Sequence, residues 1–132
     1  MKSLISILIL LPIISCKSSP GSAKLDCTGF KNGVFIVQLD SPYSYKGEIT
    51  RNGDIQTEKN LLTGASATLS VKWINDCAYT LSYVSQTDTS LNYLKGKSLN
   101  VEITKIVGDT VYTVSHIPGE KFTPEIKMVK IR

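Results

Sequence analysis

The chain has 132 residues, with 15 basic and 11 acidic side chains and a formal net charge of +4. This length fits one domain, and charges spread evenly along a chain form a solvated surface, so nucleic-acid binding is not expected. The one dense basic stretch, Lys127, Lys130 and Arg132, alternates with apolar residues and predicts a final strand rather than a phosphate-binding patch.

The N-terminus has the pattern of a secretory signal. Lys2 provides a positive charge, Leu4 to Ile14 is almost entirely apolar, and Ser15-Cys16 follows. A charged start, a short apolar run and a small residue before the cut are typical of a signal peptide. The run is too short for a transmembrane helix, which needs about 20 apolar residues. Ordinary secretion and a buried core helix are the alternatives.

The cysteine directly after a small residue makes this segment resemble a bacterial lipoprotein signal, although Ile13 stands where leucine is usual. The resemblance implies a signal peptide over residues 1–15, cleavage after Ser15 and acylation of Cys16. It also favours the outer membrane, because Lys17 and not aspartate follows the cysteine. We therefore expect a protein of the bacterial cell envelope that is held to the membrane by an N-terminal lipid anchor.

The residues after Cys16 are rich in serine, glycine and proline, which predicts a flexible tether over residues 16–23 and a domain over residues 24–132. Once Cys16 is acylated, Cys27 and Cys77 remain as an even pair in an oxidising compartment. This parity predicts a disulfide between them. Two separate buried thiols are the alternative, because free cysteine also packs well in cores.

The domain is predicted to be all-β. Short runs rich in β-branched and aromatic residues alternate with turn signals and predict strands over residues 34–39, 47–51, 54–59, 67–73, 77–84, 99–107, 110–116 and 122–131. We expect a single antiparallel meander that forms a curled sheet or a small barrel of seven to eight strands. The longest connection, Ser85 to Ser98, includes a predicted helical turn that ends at Gly96.

Turn chemistry predicts the register of three hairpins. A three-residue loop that pairs Trp73 with Cys77 places the apolar side chains of the central hairpin on one face, namely Leu69, Val71, Trp73, Cys77, Tyr79, Leu81 and Tyr83. Gly108-Asp109 predicts a two-residue type II′ turn. A loop over residues 51–53 is expected to pair Ile49 with Ile55.

The apolar face of the central hairpin has two interpretations. It is either a packed core, filled by Trp73 and Tyr79, or the wall of an apolar pocket such as ligand-carrying barrels contain. The packed core is favoured because the domain is small and buried aromatic residues are ordinary core material.

Several segments resemble a group of short, uncharacterised Gram-negative lipoproteins, some of which carry the name DNA topoisomerase IV. The matching residues are Arg51, Gln56-Thr57-Glu58, Val71-Lys72-Trp73, residues 76–81, residues 94–97 and Val101-Glu102-Ile103. The resemblance extends from about Gly47 to Tyr112 and implies a strand fold but no functional residues. Topoisomerase subunits are several times longer and work in the cytoplasm, so topoisomerase activity is not expected.

Enzymatic activity is not expected, and no catalytic, cofactor-binding or metal-binding residues are predicted. A nucleophilic triad needs a base, and the single histidine, His116, is predicted to lie at a strand end on the surface or rim. Glu48 with Glu58, or Asp40 nearby, would pair carboxylates across a hairpin, but exposed charge pairs are commoner than glycosidase sites. Two cysteines without spaced histidines do not form a metal site.

The sequence therefore predicts a lipid-anchored envelope protein that acts as a binding or interaction module, with another envelope protein as partner and no nucleic acid. The alternative is a small barrel-like carrier or sensor of an apolar ligand. A cluster of polar groups inside an apolar cavity favours the carrier, whereas a flat exposed aromatic patch favours the interaction module.

Overall fold

The computed structural model describes residues 23–42, 44–121 and 123–132, which form a closed antiparallel barrel of eight strands. The all-β prediction is therefore confirmed, and the sheet closes because β1 pairs with both β2 and β8. The predicted signal peptide (residues 1–15), acylation at Cys16 and residues 16–22 of the tether lie outside the described residues. No helix in the described ranges has the length and hydropathy needed to cross a membrane.

Each strand pairs with its neighbours in the sequence. The strands are Gly33–Leu39 (β1), Tyr45–Asn52 (β2), Ile55–Asn60 (β3), Ser66–Asn75 (β4), Ala78–Gln86 (β5), Ser98–Val107 (β6), Thr110–His116 (β7) and Glu125–Lys130 (β8). Short 3₁₀ helices occupy Thr28–Phe30, before β1, and Thr89–Leu94, between β5 and β6. The second of these lies at the helical turn expected in the longest connection.

The two ends of the barrel differ in the length of their connections. At one end, which we call the closed end, three two-residue turns follow Asn52, Asn75 and Val107. Gly108 has a φ of 59°, the positive value that type II′ requires at this position, as the sequence predicted. The other end, the open end, has the four longer connections over residues 40–44, 61–65, 87–97 and 117–124.

The predicted register of the central hairpin is wrong by two residues. Trp73 pairs with Tyr79 and not with Cys77, because the turn is Asp76-Cys77 and the ladder is irregular between Trp73 and Asn75. A shift of two residues preserves the alternation of a strand, so the predicted inward-facing set still faces inward.

The predicted loop over residues 51–53 is also wrong. The turn is Gly53-Asp54, so Arg51 pairs with Gln56 and Ile49 pairs with Glu58 instead of Ile55. Arg51 therefore lies within β2, in phase with Ile49, and its side chain is only 2% exposed. This correction places a charged residue inside the barrel.

The N-terminal segment covers the closed end. A disulfide joins Cys27 to Cys77 in the β4–β5 turn, which confirms the predicted pair. Phe30 is buried below the barrel, and Gly53 N donates a hydrogen bond of 2.7 Å to the Asn32 side chain. This segment crosses the short turns and fills the closed end. Phe35 and Val111, which lie above it inside the barrel, are fully buried.

Candidate functional site

The open half of the barrel contains a cavity of about 520 Å³. This volume lies within the usual range of small-molecule sites. All eight strands contribute to its wall, which is mostly apolar: β3 and β7 provide polar residues, and the other six strands provide apolar side chains that include Val37, Ile49, Leu69, Leu81, Leu99 and Met128. The favoured expectation of a wholly packed core therefore holds only for the closed half.

The floor of the cavity rests on an aromatic cluster around Arg51. The ring centroids of Trp73 and Tyr79 are 4.6 Å apart, and the Arg51 guanidinium carbon lies 4.5 Å from the Tyr79 ring centroid and 5.3 Å from that of Phe35. These distances are within the range of cation–π contacts. Tyr79 is buried and lines the cavity, whereas Trp73 is half-buried and packs against Tyr79 without lining the cavity.

Three hydrogen bonds hold the Arg51 guanidinium in place. Nε donates to Gln56 Oε1 at 2.9 Å, Nη1 donates to the Phe30 carbonyl at 3.0 Å, and Nη2 donates to the Tyr79 hydroxyl at 2.9 Å. These hydrogen bonds stabilise the fold, because a buried charge without partners costs several kcal/mol of folding free energy. Arg51 does not line the cavity, because Gln56 and Tyr79 lie between its guanidinium group and the cavity.

Gln56 connects Arg51 to a carboxylate that faces the cavity. Arginine can only donate hydrogen bonds, so its contact fixes Oε1 of the Gln56 amide as the acceptor. The opposite end of the amide, Nε2, then donates to Glu58 Oε1 at 2.6 Å. Among the described residues this is the one hydrogen bond to the Glu58 carboxylate, so its second oxygen is available to the cavity.

Glu58 lies inside the barrel and lines the cavity wall. Burial raises the pKa of this carboxyl group above its ordinary value of 4.5, while the hydrogen bond from Gln56 and the charge of Arg51 oppose the rise. Its partly exposed surface is the part that faces the cavity. The carboxylate pair of Glu48 and Glu58, which the sequence analysis disfavoured, does not form, because Glu48 pairs with Lys59 on the opposite face of the sheet.

Tyrosine residues surround the upper part of the site. Tyr45, Tyr83 and Tyr93 line the cavity together with Glu58. Burial raises the pKa of Tyr45 and Tyr83, and the nearby Glu58 carboxylate raises both further. Their hydroxyl groups are therefore neutral at physiological pH. Tyr93 belongs to the second 3₁₀ helix and is 64% exposed, which places it at the mouth.

Gly47 makes room for the ring of Tyr45. The two residues are two positions apart on β2 and face the same side of the sheet. A methyl group at position 47 would lie 2.6 Å from Cε1 and Cζ of Tyr45. The absence of a side chain at Gly47 thus allows the phenol ring to lie against the inner wall, pointing along β2 from the mouth.

The remaining candidates from the sequence lie outside the site. His116 is exposed at the end of β7, as predicted, and Asp40 lies in the connection after β1. No group of three or more histidine, cysteine, aspartate or glutamate residues that could hold a metal ion occurs within residues 23–42, 44–121 and 123–132.

No protein-family model, curated protein or solved structure matches this chain. The resemblance to short Gram-negative lipoproteins stays a prediction, and the geometry of the barrel and its cavity is the basis for a function.

Proposed function

We propose that the barrel is a carrier or sensor that binds a small, largely apolar molecule in its cavity. The observation that carries the proposal is the Glu58 carboxylate, which faces an apolar cavity of about 520 Å³. A buried carboxylate raises the free energy of the fold unless its partners compensate for the lost hydration. A perturbed titratable group in a concave, mostly apolar site is a common sign of ligand binding.

The interior of the barrel favours a carrier over an interaction module. The interior combines apolar walls with a few convergent polar groups, which is the arrangement expected of a carrier. Contact with another envelope protein stays a prediction. The proposed location, a bacterial envelope with the barrel tethered through acylated Cys16, is supported by the sequence pattern alone.

Ligand binding can be tested with N-phenylnaphthylamine, a neutral apolar dye that fluoresces in apolar surroundings. The expected mature chain, residues 16–132, carrying Cys16→Ser lacks both the apolar segment over residues 4–14 and the thiol for acylation, which removes the need for detergent. We expect saturable binding at one site. Leu99→Trp places a large side chain in the cavity wall and is expected to weaken dye binding at least tenfold.

Val84→Trp is the matched control, because Val84 is 64% exposed on β5 and does not line the cavity. This variant should bind the dye as the parent does. Loss of binding in both tryptophan variants, or in neither, would contradict a site inside the barrel. Circular dichroism of each variant distinguishes a blocked cavity from an unfolded barrel.

A further inference from the structure

We propose that the cavity selects ligands that carry an ammonium group on an apolar chain, with the ammonium group held by Glu58 and the surrounding tyrosine rings. This inference rests on the proposed ligand-binding function and specifies the chemical class of the ligand. The charge that faces the cavity is negative, and the positive charge of Arg51 is enclosed below it.

The hydrogen bonds that begin at Arg51 run in one direction, toward the cavity. Arg51 donates to Gln56, and Gln56 donates to Glu58, so the Glu58 carboxylate is the final acceptor of the chain. Its second oxygen can accept a hydrogen bond or pair with a cation from the cavity. A ligand donor that carries a positive charge gains more here than a neutral donor, because hydrogen bonds between charged groups are the stronger ones.

Aromatic rings share the cavity with that carboxylate. Tyr45 on β2 and Tyr83 on β5 line the same cavity as Glu58. Aromatic rings attract cations through the negative potential of their faces, and recognition of quaternary ammonium ligands by such rings is well established. Gly47 contributes by allowing the Tyr45 ring to lie inward.

Carboxylate ligands are expected to be disfavoured in the cavity. Each nitrogen of the Arg51 guanidinium donates one hydrogen bond, to Gln56, the Phe30 carbonyl or Tyr79, and Arg51 does not line the cavity. Among the described residues that line the cavity, Glu58 is the charged one, so an anionic head group would meet a negative charge. Two carboxylates in one buried site repel each other and do not both ionise readily.

The experiment compares three probes with the same eight-carbon chain: octylammonium, octanol and octanoate. Each is titrated, below its micelle concentration, into the expected mature chain (residues 16–132) with Cys16→Ser and the bound dye. We expect the ammonium probe to displace the dye about 10- to 100-fold more effectively than octanol, which is the range expected for an added interaction with a charged group. Octanoate should be the weakest of the three.

Glu58→Gln should abolish the preference for the ammonium probe while octanol binding changes little. Glu48→Gln is the matched control, since Glu48 lies on the neighbouring strand and faces outward. Tyr83→Phe keeps the ring and should keep the preference, whereas Tyr83→Leu should reduce it. If Glu58→Gln does not fold, the parent protein provides the test, because acidification that protonates Glu58 should weaken binding of the non-titrating ammonium probe and leave octanol unaffected.

The outcomes separate this inference from the proposed function. Binding of octanol and the ammonium probe with equal affinity, or a preference that survives Glu58→Gln, would refute ammonium selection and leave the cavity as an apolar site. Failure of the dye and of all three probes to bind would refute the proposed function as well.

Discussion

Replacing Arg51 with methionine should destabilise the barrel more than any exposed substitution. Methionine keeps most of the volume of the side chain but removes the guanidinium and its three hydrogen bonds to Gln56, Phe30 and Tyr79. Those acceptors remain buried after the substitution. Loss of one member of such a network leaves unsatisfied polar groups, which is the costly way of removing a buried charge.

The expected magnitude follows from those contacts. Each hydrogen bond to a charged group contributes about 1.5–3 kcal/mol, and the relief of the buried charge offsets part of the loss. Breaking a buried charged network by removing one partner costs about 3–5 kcal/mol in other proteins. We expect Arg51→Met to lower the free energy of unfolding by about this amount, which is a large share of the roughly 5–15 kcal/mol of a typical domain.

Urea unfolding followed by Trp73 fluorescence and circular dichroism measures the effect. Lys72→Met is the control, because Lys72 is exposed on β4, and it should change the free energy of unfolding by less than about 0.5 kcal/mol. Adding Tyr79→Phe to Arg51→Met removes one of the orphaned acceptors and should restore part of the stability. An Arg51→Met protein as stable as the parent would refute the role assigned to the network.

Removing the disulfide with Cys27→Ala and Cys77→Ala should lower the free energy of unfolding by about 2–5 kcal/mol, and a reductant should produce the same shift in the parent but none in the variant. Burial raises the pKa of Glu58, so between its ordinary pKa of 4.5 and its higher folded-state pKa the folded state holds a proton that the unfolded state releases. Glu58 therefore favours folding below its ordinary pKa, and this contribution to the free energy of unfolding is lost as the pH rises through the folded-state pKa. Glu58→Gln should flatten the pH dependence of unfolding above pH 4.5, and an unchanged dependence would contradict the burial effect. Cys16→Ser should abolish labelling by a radioactive fatty acid and either release the protein from membranes or leave the precursor uncut, whereas equal labelling of both forms would exclude acylation at this residue.

The fold was predictable because strand alternation survives errors of register. Leu69, Val71, Tyr79 and Leu81 share one face for any register shifted by an even number of residues, so the inner face was right although the partners were wrong. The irregular pairing before Asn75 left no clear signal in the sequence. The turn residues therefore predicted that β4 and β5 form a hairpin, but not which residues of the two strands pair.

The polar part of the site was missed for a definable reason. The predicted loop removed Arg51 from its strand, whereas the alternation of β2 places Arg51 on the same face as the buried Ile49. A charged residue in phase with an apolar face conflicts with simple patterning, and such conflicts often mark functional sites. The same reasoning applies to Glu58, which shares its face with the buried Gln56. The cavity volume, in contrast, depends on how the sheet closes and has no local signal.

The position of the N-terminal segment determines which end of the barrel lies nearer to Cys16. This segment enters at the closed end, where Cys27 is bonded to the β4–β5 turn, while the cavity opens among the long connections at the opposite end. A lipid on Cys16 would therefore attach the protein on the side of its sealed base. A cargo molecule would then enter and leave through the end of the barrel that is not joined to the anchor.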